Sequence, residues 1–589
     1  MVPMTSLGRL VALGLLSALP TWAIAQVGTS AGGAGASGGP GYAALEPVPT
    51  GSVVSAVEVV LRDVSEEREA ALERAVRDAL AVEGGWAWDP VVGAAALARV
   101  RQQPGVVEAR LRGRRDPSGG HVLIVDVRGK EVPPARSGLF LRDAPGRFPV
   151  LYRDGPRYLR VELSGGHGLF SDGNPWFGRP EVFTAGNPLV EDPALGADTG
   201  DRASWTESLL QLGVAGAAPL NASGLYGFGA LTAIGVAANG QDIFRDDQRS
   251  SLDLEKAYVG VLYAPLDEEL RLKLSVGRQN YSLNDGFLVS QFGSQWNAGP
   301  RPGVYLAPRT TQDRSVVASA KYRDWSGTFF ALDPNELGSI ESDTRLLGLN
   351  LAHAGVGRWS GDLSVLHVPR SRTAYRAPDG IARSREGLWT GAAHLRLRTR
   401  PDRSDFWFES ELAHQGHDDF DMVAWAGYGE LGYYWRTRPW TPSLSYRFAA
   451  FSGDDPDTAD YERFDTLYSG GLDHWLQGIS INKLLSQANR LSQRVRLNVA
   501  PVPKLNLTLD LYRHVADERN NLGGNPALGS LESRDLGEEI QVTARWAVRP
   551  TVLVLGIASV ALPGDAIDAA APGGVDPWNT VQLQLFWGF

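Results

Sequence analysis

The sequence predicts an all-β transmembrane barrel of about eighteen antiparallel strands, preceded by a small α+β domain. Three observations predict it. Beyond the N-terminus no apolar run reaches the ~20 residues that a membrane helix needs. From Pro133-Pro134 onward, segments of alternating apolar and polar residues recur between turn sequences, and the last of them ends on an aromatic residue. Lipid offers no partner to backbone N–H and C=O groups, so a chain without spanning helices crosses it only as a closed barrel.

Composition agrees and excludes much. The chain has 68 Gly, 17 Trp and 17 Tyr but no Cys, which suits many turns and interfacial aromatics. Disulfides, a lipid-modified N-terminal cysteine and Cys-based metal or iron–sulfur sites are ruled out. A net charge of −10 argues against a nucleic-acid partner.

Residues 1–25 read as a cleavable export signal: Arg9, an apolar core from Leu10 to Leu19, and Ala23-Ile24-Ala25 before Gln26. Residues 26–52 read as a flexible Gly/Ser/Pro linker. Two Gly-x-Ser-x-Gly matches, around Ser30 and Ser37, fall inside that tract, which lacks the strand and helix that a nucleophile elbow requires.

Residues 53–132 form the expected α+β domain. A β-branched run from Val53 to Leu61 leads into a helix over Glu66 to Val82, with Ala70, Val76 and Leu80 on its buried face. A second helix spans Pro90 to Arg101, and strands at Val106 to Gly113 and His121 to Val127 flank the Asp116-Pro117-Ser118-Gly119-Gly120 turn. This β-α-α-β-β order, with Pro104-Gly105-Val106-Val107-Glu108-Ala109 entering the penultimate strand, resembles a single POTRA repeat. That resemblance implies a periplasmic domain able to dock a protein partner.

Residues 140–589 carry the barrel. In the last segment Val581, Leu583, Leu585, Trp587 and Phe589 share one face, and Gln582, Gln584 and Gly588 the other. Trp587 and Phe589 are read as the assembly signal recognised by the barrel assembly machinery. Leu505, Leu507, Leu509 and Leu511 alternate with Asn506, Thr508, Asp510 and Tyr512. Val495 and Leu497 alternate with Arg494 and Arg496, and Ile540, Val542, Ala544 and Trp546 with Glu539, Gln541, Thr543 and Arg545. In a large barrel the apolar face meets lipid and lipopolysaccharide while the polar face lines the lumen.

The candidate lumen residues are therefore Arg271, Lys273, Arg278, Arg396, Arg398, Arg447, Arg494, Arg496 and Arg545. Guanidinium groups bind carboxylates in a planar two-point geometry, so such a lining favours anionic solutes. Glu409, Glu411, Asp510 and Glu539 also point inward, and the competing expectation is a wall of paired, structural charges.

Several short motifs carry a further likeness. They are Gly277-Arg278-Gln279 with Asp285-Gly286, the run Glu462-Arg463-Phe464-Asp465-Thr466-Leu467-Tyr468-Ser469, Pro503-Lys504-Leu505, His514-Val515-Ala516-Asp517-Glu518 and Leu536-Gly537-Glu538-Glu539-Ile540. In this order they resemble the alginate export family of outer-membrane channels over roughly residues 205–589. The resemblance implies an eighteen-stranded barrel with a positive lumen through which an acidic exopolysaccharide or another solute diffuses, with no cofactor. The N-terminal domain and the region Arg157 to Asn187 have no counterpart in that pattern, so alginate itself does not follow.

Two other classes compete. A POTRA-barrel protein translocator would carry an Arg-Gly-Phe or Arg-Gly-Tyr motif in a barrel-entering loop, and this barrel has none. A barrel hydrolase has one clustered candidate, His414 and His417 with Asp418, Asp419 and Asp421, which lacks a matched nucleophile. The acidic run Asp454, Asp455, Asp457 and Asp460 has no recognised cation-loop spacing and reads as an exposed loop. Deleting Phe589 is expected to impair barrel assembly, read as loss of the heat-modifiable band on electrophoresis; normal migration of the truncated chain would remove the assembly role.

Overall fold

The computed structural model describes residues 54–588 apart from 63, 65, 81–89, 104, 116–120, 130–137, 142–149, 155–156, 187–199, 222–223, 247, 266–269, 291–302, 308–309, 337–340, 357–358, 398–405, 436–437, 470–474, 503 and 550. The expected signal (1–25), the linker (26–52), Arg398 and Phe589 lie outside the described residues.

The N-terminal unit is a small α+β domain. Its elements are β1 (Val54–Arg62), α1 (Glu66–Leu80), α2 (Pro90–Arg101), β2 (Val106–Arg115) and β3 (His121–Gly129). The sheet order is β1-β3-β2, with β1 parallel to β3 and β2 antiparallel to it. Leu72, Val76, Ala79 and Leu80 of α1 follow helical spacing and pack with Ala96, Val100, Leu123, Val125 and Val127. Val76 and Leu80 lie on the expected face, but Ala70 is exposed. It sits roughly 240° round the helix from Val76, and Leu72 takes its place in the core.

The second unit is a closed barrel of eighteen antiparallel strands from Arg157–Gly173 to Trp578–Gly588, as the alternation predicted. A short hairpin, Gly138–Leu141 with Val150–Asp154, extends the start of the first strand. Every barrel strand pairs with its sequence neighbour, and Trp578–Gly588 pairs with the first strand from Asn579 opposite Gly173 to Gly588 opposite Ser164. Nine connections emerge at one end, most of them long: L1 (174–201), L2 (242–248), L3 (280–311), L4 (335–344), L5 (371–387), L6 (418–423), L7 (452–489), L8 (516–534) and L9 (564–577). The other end has turns as short as 323–324 and 550–551.

The two faces sort by chemistry. Val581, Leu583 and Leu585 are exposed on the outer surface, while Thr580, Gln582 and Gln584 are buried toward the lumen. Tyr322, Trp325, Trp359, Phe406, Trp546 and Trp587 mark the turn end of the outer face, and Trp389 and Trp425 the loop end. These are the aromatic girdles that border the hydrocarbon band of a membrane barrel.

The closing seam has its own side-chain logic. Opposite Trp587 and Phe586 the first strand carries Gly165 and Gly166, and a Cβ at either position would overlap the facing aromatic ring. The rings cover the bare backbone across the strand, the arrangement by which aromatics rescue glycine in sheets. Gly165→Val is expected to destabilise the barrel by about 1–3 kcal/mol through overpacking. The measurement is the temperature at which the heat-modifiable band unfolds, and an unchanged temperature would show that the seam has slack.

Candidate functional site in the lumen

The lumen is not an empty cylinder. Inward side chains and the long loops form two packed apolar clusters. One joins Phe170, Trp205, Leu555, Ile557, Trp578 and Phe586 of the wall to Trp176 and Phe177 of L1, Val304 and Leu306 of L3, Ile481 and Leu484 of L7 and Ile567 of L9. The other joins Phe330, Leu366 and Tyr428 of the wall to Phe287 and Val289 of L3, Tyr375 of L5 and Phe464 and Trp475 of L7. L3 and L7 also pair with each other through the Val289–Tyr468 bridge.

Inward carboxylates fasten these loops. Glu207 accepts hydrogen bonds from the backbone N–H groups of Val304 (2.7 Å), Tyr305 (2.9 Å) and Leu306 (2.5 Å), and from the Trp205 indole at 2.6 Å. Glu539 does the same for L7, receiving Ile479 at 2.7 Å, Ser480 at 3.2 Å and Ile481 at 2.9 Å. Consecutive N–H groups turned to one side form a concave anion site, filled here by a wall carboxylate. Asp465 of L7 receives the Arg385 guanidinium at 2.7 and 2.8 Å and the Tyr375 hydroxyl at 2.7 Å. Burial raises the Asp465 carboxyl, yet Arg385 and these donors outweigh it and hold its pKa below the usual aspartate range.

Toward the turn end of these clusters runs a charged belt, built on neighbouring strands by simple register. Glu430 lies opposite Arg447, Arg447 opposite Arg494, and Arg496 opposite Asp510. Arg494 bonds Glu430 at 2.5 Å, and Arg496 grips Asp510 two-pronged at 2.6 and 3.0 Å. Arg447 lies with its guanidinium 4.4 Å from the Trp475 ring centre of L7. Next along the wall, Arg396 pairs with Glu409. His394 bridges two carboxylates, with Nδ1 2.9 Å from Asp362 and Nε2 3.0 Å from Glu409.

The sequence-derived residues thus fall into groups. Arg396, Arg447, Arg494 and Arg496 come together in the belt. Arg271 and Lys273 face inward on another strand, Leu270–Gln279, with Leu272, Leu274 and Val276 exposed on its outer face. Lys273 is exposed to the lumen, its Nζ 5.9 Å from the Phe228 ring centre, and Arg271 lies opposite Lys321. Arg278 stands beyond the bulge at Gly277 and pairs with Asp313 near the loop rim. Arg545, half-buried, faces Asn506 across strands. His414 is exposed on the outer face of Phe406–His417, whereas His417 stacks on Phe420 with ring centres 4.0 Å apart, so they do not converge. Asp454 is buried and accepts the Glu462 N–H, while Asp457 is exposed at the tip of L7.

Sequence reasoning missed Glu207, Glu430, Asp362, His394, Lys321 and the loop residue Trp475, and named Asp285 only as part of a family motif. Alternation does place Glu430 and His394 inward, so that signal was present. For Asp285 and Trp475 no periodicity exists to read, because loop geometry follows from what the loops pack against.

A closed barrel with apolar outer and charged inner faces is an outer-membrane channel. The alginate export profile matches residues 232–576, and the chain belongs to the alginate export family. No curated protein matches. Among solved structures, the chain is similar to the outer membrane protein OprD from Pseudomonas aeruginosa at 11% identity, over 77% of this chain and 96% of that one, with a TM-score of 0.43. It is also similar to Acinetobacter baumannii OccAB2 at 10% identity, over 73% and 98% with a TM-score of 0.44, and to Salmonella typhi OmpF in complex with daunomycin at 12%, over 74% and 98% with a TM-score of 0.37.

Glu539→Ala is expected to leave the Ser480 and Ile481 N–H groups without their acceptor, Ile479 keeping Gln541, at a cost of about 1–3 kcal/mol, and to loosen L7. The check is limited proteolysis within L7; cleavage no faster than in the parent chain would show that the apolar cluster alone holds the loop.

Proposed function

We propose that the channel passes anionic solutes or an acidic polysaccharide by diffusion, without covalent chemistry. The observation that carries this reading is the exposure of Lys273 and Lys321 on the inner wall, together with Arg447, Arg494 and Arg496 on adjoining strands elsewhere in it. Positive charge fixed on a wall of low dielectric sets up an attractive field for anions. Lys273 and Lys321 lie on a part of the inner wall separate from the arginines. Most other inward charges are paired and stiffen the wall; the acids around Glu411 are the exception.

The N-terminal domain, in this reading, stands in the periplasm after removal of residues 1–25. Its strand-helix-helix-strand-strand order and β1-β3-β2 sheet support a POTRA-like docking role for a periplasmic protein partner. Barrel assembly through Trp587 and Phe589, and contact with lipopolysaccharide at the loop end, belong to the same proposal. The separation of His414 from His417 favours a conduit over a hydrolase.

The test is ion selectivity in a planar bilayer with polyuronate as blocker. Lys273→Gln with Lys321→Gln is the cleaner variant, since removing Arg494 would strand Glu430 in the wall. The expected result is an anion-selective pore blocked by polyuronate, with the permeability ratio falling about twofold in the variant. Unselective conductance in the parent protein would overturn the reading.

A further inference from the structure

Beside the arginine ladder lies a patch where acids outnumber bases. Glu411, on Phe406–His417, is 1% exposed, and neither of its carboxylate oxygens has a hydrogen-bond partner. Its charged neighbours are Asp285, His394, Asp362 and Glu409. Asp285 is contributed by L3, not by the wall. Its Oδ2 accepts the Tyr428 hydroxyl at 3.1 Å, and Tyr428 is the cross-strand partner of Glu411. Its Oδ1 is buried and also lacks a partner.

The remaining acids of the patch are saturated. Asp362 receives Asn284 at 2.9 Å, Asn350 at 2.8 Å and His394, and Glu409 receives His394 and Arg396. Both nitrogens of His394 face ionised carboxylates, so both donate and the ring is an imidazolium. Among the described residues Asp285, Asp362, Glu409 and Glu411 then stand against His394 and Arg396, a formal excess of two negative charges. Three acceptor oxygens, two on Glu411 and one on Asp285, remain without donors in a buried setting that penalises unpaired charge heavily.

We propose that Glu411 and Asp285 hold a partly hydrated Ca²⁺ ion that ties L3 to the barrel wall. A divalent ion matches the charge excess, and it serves all three oxygens, which one proton on Glu411 does not. Ca²⁺ fits better than Mg²⁺. It accepts a bidentate carboxylate and irregular shells of 6–8 oxygens, whereas Mg²⁺ demands a near-ideal octahedron. Among the described residues no three His, Asp or Glu side chains converge as a ready-made ligand set, so water completes the shell around two carboxylates. The ion would add a wall-to-L3 tether separate from Glu207, joining the loop to the strand that also carries Glu409.

The test is calorimetric titration of Ca²⁺ into the purified full-length barrel in detergent, stripped with chelator and free of lipopolysaccharide. One tight site is expected, weakened at least about tenfold by Glu411→Gln and by Asp285→Asn. Asp457→Asn, at the exposed acidic tip of L7, should leave it intact. Heat-modifiable migration confirms folding of each variant, and should Glu411→Gln fail to fold, the loop variant Asp285→Asn decides. Absence of binding in the parent protein, or binding indifferent to Asp285→Asn, overturns the proposal. Loss of binding in Asp457→Asn places the ion in L7 and overturns it equally.

Discussion

Everything in the barrel depends on the hydrogen bonds that join the last strand to the first. A sheet edge in lipid leaves a row of backbone N–H and C=O groups with no partner, each costing several kcal/mol, so an open sheet of these strands has no stable place in a bilayer. Closure from Asn579–Gly173 to Gly588–Ser164 removes both edges at once. The local chemistry serves that one seam: glycines on the first strand leave room for Phe586 and Trp587, and the rings shield the backbone the glycines expose.

Closure creates a second problem, the wide interior of an eighteen-stranded cylinder. The chain answers it with its own loops. L1, L3 and L7 turn inward and pack apolar side chains on the wall, but loop backbone inside a barrel carries polar groups that need partners as well. Glu207 and Glu539 meet that need by accepting several consecutive N–H groups each. A carboxylate is well suited to this, since its two oxygens accept from many directions and never compete as donors. Where loops cover the wall, the rule of polar residues inward lapses, and Leu553, Leu555 and Ile557 point into the lumen.

The charged belt lies where that apolar filling meets the more exposed inner wall. Its arginines are held in place largely by acids one or two strands away, so these side chains stiffen the sheet. Removing one partner uncovers a buried charge, so in the proposed conduit a change in these residues would also cost stability, as a change in a row of surface lysines would not. Lys273 and Lys321, more exposed, are freer of that coupling.

The sequence by itself determined the architecture: a barrel, its strand number to a good approximation, and which side chains of Arg490–Val502, Leu505–Val515 and Trp578–Gly588 face lipid and which the lumen. The physical reason is that the strand period of two places successive side chains on opposite faces, and a strand between lipid and an uncovered lumen shows it as apolar-polar alternation. The order of elements in the N-terminal domain was legible for a similar reason, because helix and strand leave different periods. Only the tertiary structure decided that Arg494 pairs with Glu430, that Asp285 of L3 reaches Tyr428, and that His414 and His417 part to opposite faces. Alternation states a side chain's face but not its neighbour, which follows from register between strands, and loops folded into a lumen have no period at all: their course is set by the wall they meet.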